Sequence, residues 1–441
     1  MAGIYRSYAP NQQFLLPPSP QDWLPEGHLA YFISDTVDHL DLSSITDSET
    51  YRVGGSGNPP YHPTMMLKLL IYAYCSGVFA SRRIAKRVHE DIAFRVLAAG
   101  HFPGFRSFGR FRKDHIEAFQ DLFVQVVQIA KETGLVKMGQ ISIDGTKIKA
   151  NASKHKAMSY ARMQEVSKKL RKEIEALTKA AGDADELDDK EFGEHFDGND
   201  IPGELARRKD RLKAIQAAKR KLEARKREEA AQQQAEAKAR EEEGKAPRKG
   251  DKKKSGTPKP KDQINFTDSE SRIMKSGNGF EQSFNAQIAV DDEEQVIVAA
   301  EVTQEAGDIR QLLPVLDAAV ENVGSKPESV LADAGYVSEE NLEGLEEREV
   351  EGFLAIGRKK KNRKVSDDCP LTQQMQAKLK TKRGAKQYAK RKHKVEAPFG
   401  WIKRCMGFRS FSMRGVANVR GEFALVCLAM NLRRLTERMA W

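Results

Sequence analysis

The sequence predicts an α/β protein in which an all-helical N-terminal domain precedes a mixed α/β domain. A long charged helical insertion is expected to interrupt that second domain after its first strand. Three observations indicate this arrangement. Apolar residues recur at helical spacing over residues 63–136, and the period changes to two at Met138. Residues 155–262 are rich in Lys, Glu, Ala and Gln and contain few β-branched or aromatic residues. From residue 283 onward, short apolar segments alternate with helical ones.

The N-terminal domain contains a candidate helix-turn-helix. Pro63 suits a first helical turn, residues 65–74 are apolar at helical spacing, and Gly77 is a natural stop. Ser81 is expected to cap a second helix that is basic on one face. The four basic residues of that face are Arg82, Arg83, Lys86 and Arg87. Such a pair can bind DNA, but two short helices joined by a turn are also common in domains that do not, so both interpretations stay open.

Two more helices are expected before the first strand. One lies near residues 92–98. Ser107 is predicted to cap the other, a long helix that reaches Lys131.

The insertion is predicted to be a charged helical arm. Asp200 as a cap and Pro202 in the first turn would begin a helix that ends near Glu243. Leucine and isoleucine give this helix only a broken heptad seam, at Leu205, Leu212, Ile215 and Leu222. An antiparallel pairing with residues 160–180 is expected, followed by a disordered basic linker over residues 248–261.

The remaining elements predict the order of a sheet. Residues 141–143 form a strand that ends on Asp144, and residues 283–290 and 295–302 form a hairpin. A helix (309–322), a strand (329–332) ending at Asp333, a helix (338–347) and a strand (351–356) follow. This order predicts a ribonuclease H-like fold interrupted after its first strand.

These elements define four segments. Residues 1–136 form the helical N-terminal domain, and residues 137–154 with 263–406 form the ribonuclease H-like domain. Residues 155–262 are the insertion, and residues 407–441 form a C-terminal helix.

The positive charge of the chain is concentrated near its C-terminus. The formal net charge is +11 over 441 residues, and residues 358–441 alone contain 23 Lys and Arg against 5 Asp and Glu. Phe399, Trp401, Phe408 and Phe411 lie among these charges. A concentrated basic region with aromatic residues is typical of a nucleic-acid surface, although the aromatic residues could equally belong to the core.

Several classes of protein are excluded by composition. No run of eighteen apolar residues and no secretory signal occur, so the sequence predicts a cytoplasmic protein with no membrane partner. The four cysteines, Cys75, Cys369, Cys405 and Cys427, are far apart. This spacing argues against a disulfide framework and a zinc site.

Two aspartates at predicted strand ends are the strongest chemical signal. Asp144 and Asp333 would end neighbouring strands of the sheet, so their carboxylates should lie close together at one edge. A magnesium ion relieves the repulsion between two such carboxylates, because hard divalent cations prefer oxygen ligands. Each aspartate alone could equally cap a turn.

Glu396 is the candidate third acid. It is the only acidic residue of a helical, strongly basic stretch, residues 385–406, that is expected to pack beside the sheet. A single glutamate among cations is often a surface ion-pair partner, which is the competing interpretation.

With these residues in place, the sequence resembles the DDE transposases of bacterial insertion sequences. The resemblance rests on Asp144-Gly145-Thr146-Lys147 with Ala150-Asn151-Ala152-Ser153, Thr267-Asp268 with Ser271-Arg272-Ile273-Met274-Lys275, Asn285-Ala286-Gln287, Ala332-Asp333-Ala334-Gly335-Tyr336, and Val395-Glu396 with Phe399-Gly400 and Ile402-Lys403. The family's Tyr, Arg, Glu and Lys signature falls on Tyr388, Arg391, Glu396 and Lys403. Four residues separate Arg391 from Glu396, whereas three are commoner in the family. This departure makes Lys392 the alternative to Arg391 for the arginine position of the signature.

The resemblance implies a metal-dependent nuclease and strand transferase. Asp144, Asp333 and Glu396 would hold two Mg²⁺ or Mn²⁺ ions for in-line attack on a phosphodiester. Tyr388, Arg391 and Lys403 would hold the DNA strand. The implied partners are double-stranded DNA, as element ends and target, and a second copy of the chain on that DNA. The implied location is the bacterial nucleoid.

Three alternatives remain at this point. The chain could be an inactive DNA-binding regulator, or a ribonuclease H-like nuclease that does not join strands. Tyr388 could also serve as a covalent nucleophile, as in tyrosine recombinases, but the arginine and histidine constellation for that chemistry is absent from the surrounding sequence. If Glu396 is not the third acid, Glu422 is the next candidate.

Overall fold

The computed structural model describes residues 19–47, 59–192, 203–242, 255–277, 279–356, 369–394 and 396–438. The N-terminal part is helical, as predicted. Its helices are α1 (Leu29–His39), α2 (Ser43–Thr46), α3 (Pro63–Cys75), α4 (Ser81–Glu90), α5 (Ile92–Leu97), α6 (Phe105–Asp114) and α7 (Ala118–Glu132).

Two local predictions for this part are wrong. Ser81 does not cap α4, because its hydroxyl accepts a hydrogen bond from Arg112 Nη2 (3.1 Å) and Ala80 occupies the cap position. The single long helix that was expected from Ser107 to Lys131 is two helices, α6 and α7, that are separated at His115. The helical pattern continues through the break because both helices bury aromatic residues against the same core.

The main sheet contains the five predicted strands and one that was not predicted, Arg272–Ser276. The strands of the described chain are β1 (Gln140–Lys149), β2 (Ala157–Ser159), β3 (Gln263–Asn265), β4 (Arg272–Ser276), β5 (Gly279–Asp291), β6 (Ile297–Thr303), β7 (Ser329–Ala332) and β8 (Glu351–Leu354). The main sheet has the order β4-β5-β1-β7-β8, and β6 pairs with β5. β1 is antiparallel to β5 and parallel to β7, and β7 is parallel to β8. β2 and β3 form a separate two-stranded sheet.

One strand boundary differs from the prediction. β1 does not end on Asp144 but continues to Lys149, since β5 pairs with it as far as Lys149 and Ser283. The pairing with β7 stops earlier, at Ile143 and Ala332. Asp144 is therefore the first residue of β1 beyond the end of β7.

The remaining helices cover the sheet and complete the fold. They are α10 (Leu312–Val323), α11 (Glu339–Glu347), α12 (Pro370–Lys380), α13 (Lys382–Lys394), α14 (Glu396–Gly400) and α15 (Val416–Arg438), with a π-helical turn at Trp401–Cys405. α13 contacts β7 and β8, so the basic helix packs beside the sheet as expected. α15 contacts β6 on one side and α3 and α7 on the other. One hydrophobic core therefore joins the N-terminal helices, the sheet and the C-terminal helix.

The insertion forms an antiparallel helix pair, as predicted, made of α8 (Tyr160–Phe192) and α9 (Gly203–Glu242). The Tyr160 hydroxyl donates to Glu223 (2.7 Å), and Arg208 Nε donates to Glu173 (3.0 Å). The pair has its own small core, to which the predicted seam contributes Ile215 and Leu222, with Leu212 packed against them. Its buried members are Met163, Leu170, Ile215, Ala218, Leu222 and Ile264. The predicted helix boundaries at Asp200, Pro202 and Glu243 lie outside the described residues.

The segment after the arm is described only in part. Residues 248–254 lie outside the described part, but residues 255–261 form turns against α9. The Lys259 backbone NH donates to Asp262 (2.8 Å), and Asp262 pairs with Lys226 (3.7 Å). The predicted disorder of residues 248–261 stays a prediction. No helix within the described ranges is long and apolar enough to cross a membrane.

The separate core of the arm leads to a prediction about stability. Leu222 is fully buried in that core, so Leu222→Ala should destabilise the helix pair by about 2–5 kcal/mol. Hydrogen exchange should then accelerate in α8 and α9 and stay slow in β5 and α15. Lys221→Ala, at the exposed neighbouring position, is the control and should change neither the stability of the helix pair nor its hydrogen-exchange rates. Equal loss of protection in α15 would show that the arm and the main core unfold together.

Candidate active site

The sheet brings the two predicted aspartates to one edge. Ile143 and Ala332 are the last paired residues of the parallel strands β1 and β7, and Asp144 and Asp333 follow them directly. Each carboxylate accepts a nearby backbone NH: Gly145 donates to Asp144 Oδ1 (2.9 Å) and Gly335 to Asp333 Oδ1 (2.7 Å). The predicted adjacency of the two strands is therefore confirmed.

The Asp144 carboxyl group lies in an unusual electrostatic environment. Burial raises its pKa to about 6, and the nearby Asp333 and Asp308 carboxylates push the pKa in the same direction. The Arg391 guanidinium opposes this shift, with its Nη1 atom 3.7 Å from Asp144 Oδ2. A positive charge near Asp144 favours the ionised carboxylate, because it offsets both the burial and the neighbouring negative charges.

Asp308 was not identified from the sequence. Its Oδ1 atom accepts three hydrogen bonds, from Lys147 Nζ (3.0 Å), Asn285 Nδ2 (2.7 Å) and Gln287 Nε2 (2.8 Å). Asp308 lies in the loop between β6 and α10, several residues beyond the strand end, so a search for acids at strand ends does not find it. The one available signal was a pair of polar residues two positions apart on one strand, Asn285 and Gln287. Both are fully buried.

The loop that carries Asp333 is fastened to the Asp308 loop by buried hydrogen bonds. The Tyr336 hydroxyl is buried and donates to Gln287 Oε1, while Gln287 Nε2 donates to Asp308. The Asn341 side-chain amide donates to the carbonyls of both Tyr336 (2.6 Å) and Ile309 (2.7 Å). This network fixes the backbone that follows Asp333 and ties it to the Asp308 loop.

Two glycines allow the acids to approach each other. A Cβ atom on Gly145 would lie 2.2 Å from Gln287 Nε2 and 2.9 Å from Asp308 Oδ1. A Cβ atom on Gly335 would lie 2.9 Å from Asp333 Oδ1. The glycines that follow the two aspartates in the sequence are therefore required by space, since any side chain would push the polar groups apart.

Lys403 and Arg391 both reach β1 beside Asp144. Lys403 Nζ donates to the Thr146 hydroxyl and, at 3.4 Å, to the Lys147 carbonyl. Burial lowers the pKa of the Lys403 ammonium group, and the Asp144 carboxylate opposes that shift. Arg391 also lies over the Tyr388 ring, 5.9 Å from its centroid. The spacing between Arg391 and Glu396 thus does not prevent Arg391 from reaching Asp144.

Glu396, the predicted third acid, is described only at the level of its backbone. Glu396 begins α14, between Arg391 and Lys403, and its side chain lies outside the described part of the structure, as does that of Lys392. Within the described residues, no three His, Cys, Asp or Glu side chains are close enough together to hold a metal ion. The structure therefore brings Asp144 and Asp333 together and leaves Glu396 as a prediction.

Glu422 is placed where it cannot replace Glu396. It is fully buried in α15, and its carboxylate accepts the backbone NH groups of Ser412 (2.9 Å) and Met413 (3.0 Å). Burial raises its pKa, while these hydrogen bonds and Arg112 oppose the shift. Its contacts are those of a structural residue.

The basic face of the N-terminal helix pair is exposed. Ile84 and Val88 attach α4 to the core. The side chains that point to solvent are Arg82, Arg83, Lys86 and Arg87. Two of these cations pair with acids one turn later, Lys86 with Glu90 and Arg87 with Asp91, both at 3.5 Å. Contact of this face with DNA remains a prediction.

Comparison with known families identifies the class of protein to which this fold and site belong. The family described as "Transposase DDE domain" matches residues 245–432, and the family described as "Transposase domain (DUF772)" matches residues 18–114. No curated protein and no solved structure matches the chain. The first match contains Asp308, Asp333, Glu396 and Lys403, whereas Asp144 precedes it. Together the two matches support an insertion-sequence DDE transposase.

Proposed function

We propose that this transposase cleaves DNA at the ends of its insertion sequence and joins the 3′-hydroxyl ends to target DNA. The observation that carries the proposal is the meeting of Asp144 and Asp333 at one edge of the sheet, with Arg391 and Lys403 beside them. The strand order β6-β5-β1-β7-β8 supports a ribonuclease H-like fold for this domain.

The donor set fits a hard divalent cation. Asp144 and Asp333 offer carboxylate oxygens, and the raised pKa of Asp144 shows that the site disfavours the uncompensated negative charge. Asp144, Asp333 and Glu396 would hold two Mg²⁺ or Mn²⁺ ions. When bound, such ions activate the attacking oxygen and stabilise the leaving one in an in-line displacement.

The basic residues of the site would bind and orient the DNA strand. Arg391 and Lys403 place positive charge beside Asp144, where the scissile phosphate would enter. The partly buried Lys403 is fixed on Thr146, so it can hold a phosphate in a single position. Tyr388 supports the Arg391 guanidinium through its ring and is not needed as a nucleophile.

The proposed partners follow from this chemistry. The substrate is double-stranded DNA, as element ends and as target. The exposed cations of α4 and those of α13 would both bind it. Joining two ends requires two active sites, so we propose that two copies of the chain act together on DNA, in the cytoplasm at the nucleoid.

The test is strand cleavage and joining on a labelled duplex that carries the ends of the element encoding this chain. With Mg²⁺ the protein should release 3′-hydroxyl ends and covalently join them to a second, unlabelled duplex. Without metal it should only bind. Binding without cleavage would indicate a regulator, and cleavage without joined product would indicate a nuclease.

Asp308 is expected to act as a positioning residue for Asp333 and Lys147. Asp308→Asn keeps a hydrogen-bond acceptor but removes the charge that holds Lys147, so cleavage should fall by about 10- to 100-fold. The Mg²⁺ concentration for half-maximal cleavage should rise, which a purely structural role would not cause. The control is Asp317→Asn, an acid that is half exposed and pairs with Arg348. Unchanged Mg²⁺ dependence in Asp308→Asn would contradict this role.

A further inference from the structure

One sequence motif is not explained by the active site. Ala150-Asn151-Ala152-Ser153 follows β1 directly and lines a groove of about 610 Å³. The opposite wall is formed by the loop at residues 410–414, and the chain at Thr267 and Glu281 closes one side. The motif is five or more residues beyond Asp144, so its side chains do not belong to the carboxylate cluster.

The groove is built by backbone contacts and kept open by small side chains. The Phe411 NH donates to the Lys149 carbonyl (2.9 Å), and the Asn151 side chain donates to the Ser412 carbonyl (2.6 Å). These bonds hold the two walls at a fixed separation. Ala150, Ala152 and Ser153 line the groove with small side chains, and the first two also pack against the core. The motif is therefore suited to leaving space for a ligand.

The rim of the groove is basic. Its exposed cations are Lys149, Lys154, Lys156 and Arg414. Among the described residues that line it, Glu281 is the one acid, and it lies 3.8 Å from Lys149. The Ser153 hydroxyl accepts the His155 NH (3.3 Å) and starts a one-turn helix, Lys154–Lys156, that presents both lysines at the rim. Such a surface attracts an extended anion.

The groove lies in line with the active site along β1. Lys149 lies five positions after Asp144 on β1, which corresponds to about 17 Å at the rise of a strand. Successive phosphates of one DNA strand advance about 3.4 Å along the duplex axis, so this distance spans about five phosphates. Lys147 and Lys403 lie between the two places. One duplex can therefore reach both.

We propose that this groove binds the phosphate backbone of the DNA about five phosphates from the one that is cleaved. The inference rests on the proposed function, because it takes the DNA to be the same molecule that enters the active site. Contacts of this kind position the duplex and do not depend on its sequence.

The test uses charge reversal and metal-free binding. Lys154→Glu with Lys156→Glu should raise the Kd for a labelled 40-base-pair duplex of arbitrary sequence by about tenfold or more, and should lower the slope of log K against log salt by about 2. Neither side chain has a contact that holds the fold. The control is Lys168→Glu with Lys172→Glu, two exposed lysines of the arm with the same charge change. If the Lys154→Glu Lys156→Glu variant binds DNA like the wild type, or if the control variant loses as much affinity, the proposal is overturned.

A second variant tests the shape of the groove. Ala152→Leu fills the space without changing charge, and it should weaken binding by about tenfold while the slope against salt changes little. Its circular dichroism and melting temperature verify that it is folded. Neutral methylphosphonates placed about five phosphates from the cleavage position should weaken DNA binding by the wild type. They should not further weaken DNA binding by the Lys154→Glu Lys156→Glu variant. Additive losses would overturn the assignment to the groove.

The groove and the proposed function can fail separately. Binding without metal reports on the groove, whereas cleavage in Mg²⁺ reports on the active site. If the wild type cleaves and the groove variants bind like the wild type, the groove is excluded and the function stands. If the folded wild type does not cleave its own ends, the proposed function fails whatever the groove variants bind.

Discussion

Strand cleavage by the Asp144→Asn and Asp333→Asn proteins is expected to fall by about three orders of magnitude or more. Each change preserves size and hydrogen bonding, including the bond from the Gly145 or Gly335 NH, and removes one ligand charge. DNA affinity measured without metal should hold or rise, because a negative charge beside the phosphates has been removed. The same result is expected for Glu396→Gln, although its side chain lies outside the described part of the structure.

The measurement is single-turnover cleavage of a labelled end substrate in Mg²⁺, run beside a metal-free binding assay. Asp317→Asn is the control, since it removes an acid from an exposed ion pair and should leave the rate nearly unchanged. Rapid cleavage by Glu396→Gln would remove Glu396 from the proposed triad. Asp308, the acid that the structure adds to this neighbourhood, would then be the next ligand to test.

The second large effect is expected on stability and concerns Glu422. Glu422→Ala should lower the free energy of unfolding by about 3–5 kcal/mol. It leaves the NH groups of Ser412 and Met413 without their carboxylate acceptor and removes a negative charge that interacts with the buried Arg112. Glu422 lies in α15, which joins the N-terminal helices to the sheet, so the loss should affect the whole core.

Denaturant unfolding followed by circular dichroism measures this loss. Glu422→Gln retains a carbonyl oxygen for the backbone groups, and it should fold with a smaller loss and cleave DNA at a rate near that of the wild type. If Glu422→Gln instead folds normally and loses cleavage by the same factor as Asp144→Asn, Glu422 belongs to the chemistry and not to the core.

The sequence predicted those elements whose pattern is local. The short apolar run at Ser329–Ala332 between turn residues identifies β7 and its terminal Asp333 without knowledge of its neighbours. The length of β1 depends on where β5 pairs with it. The paired residues Ile143 and Ala289 are 146 positions apart in the chain, beyond the reach of a periodicity argument. Asp144 was therefore placed correctly at the edge of β7 but incorrectly at the end of β1.

The residues that were missed act through tertiary contacts. Asp308 is held by Lys147, Asn285 and Gln287, which come from two different strands, and only the folded chain brings them together. The α8 side of the arm's core was missed for a similar reason. Ile215 and Leu222 on α9 are buried by Met163 and Leu170 on α8, so neither helix alone shows a sufficient apolar seam.

The central claim is that Asp144 is a metal ligand, and a change of ligand chemistry tests it most directly. In Asp144→Cys a thiolate replaces the carboxylate. Mg²⁺ accepts this softer ligand poorly, and Mn²⁺ accepts it better. Cleavage of the labelled end substrate should be lost in Mg²⁺ and recover by at least about tenfold when Mn²⁺ replaces it, while Asp144→Ala stays inactive in both. Cleavage at the wild-type rate in Mg²⁺, or an equal loss in the two metals, would contradict the account.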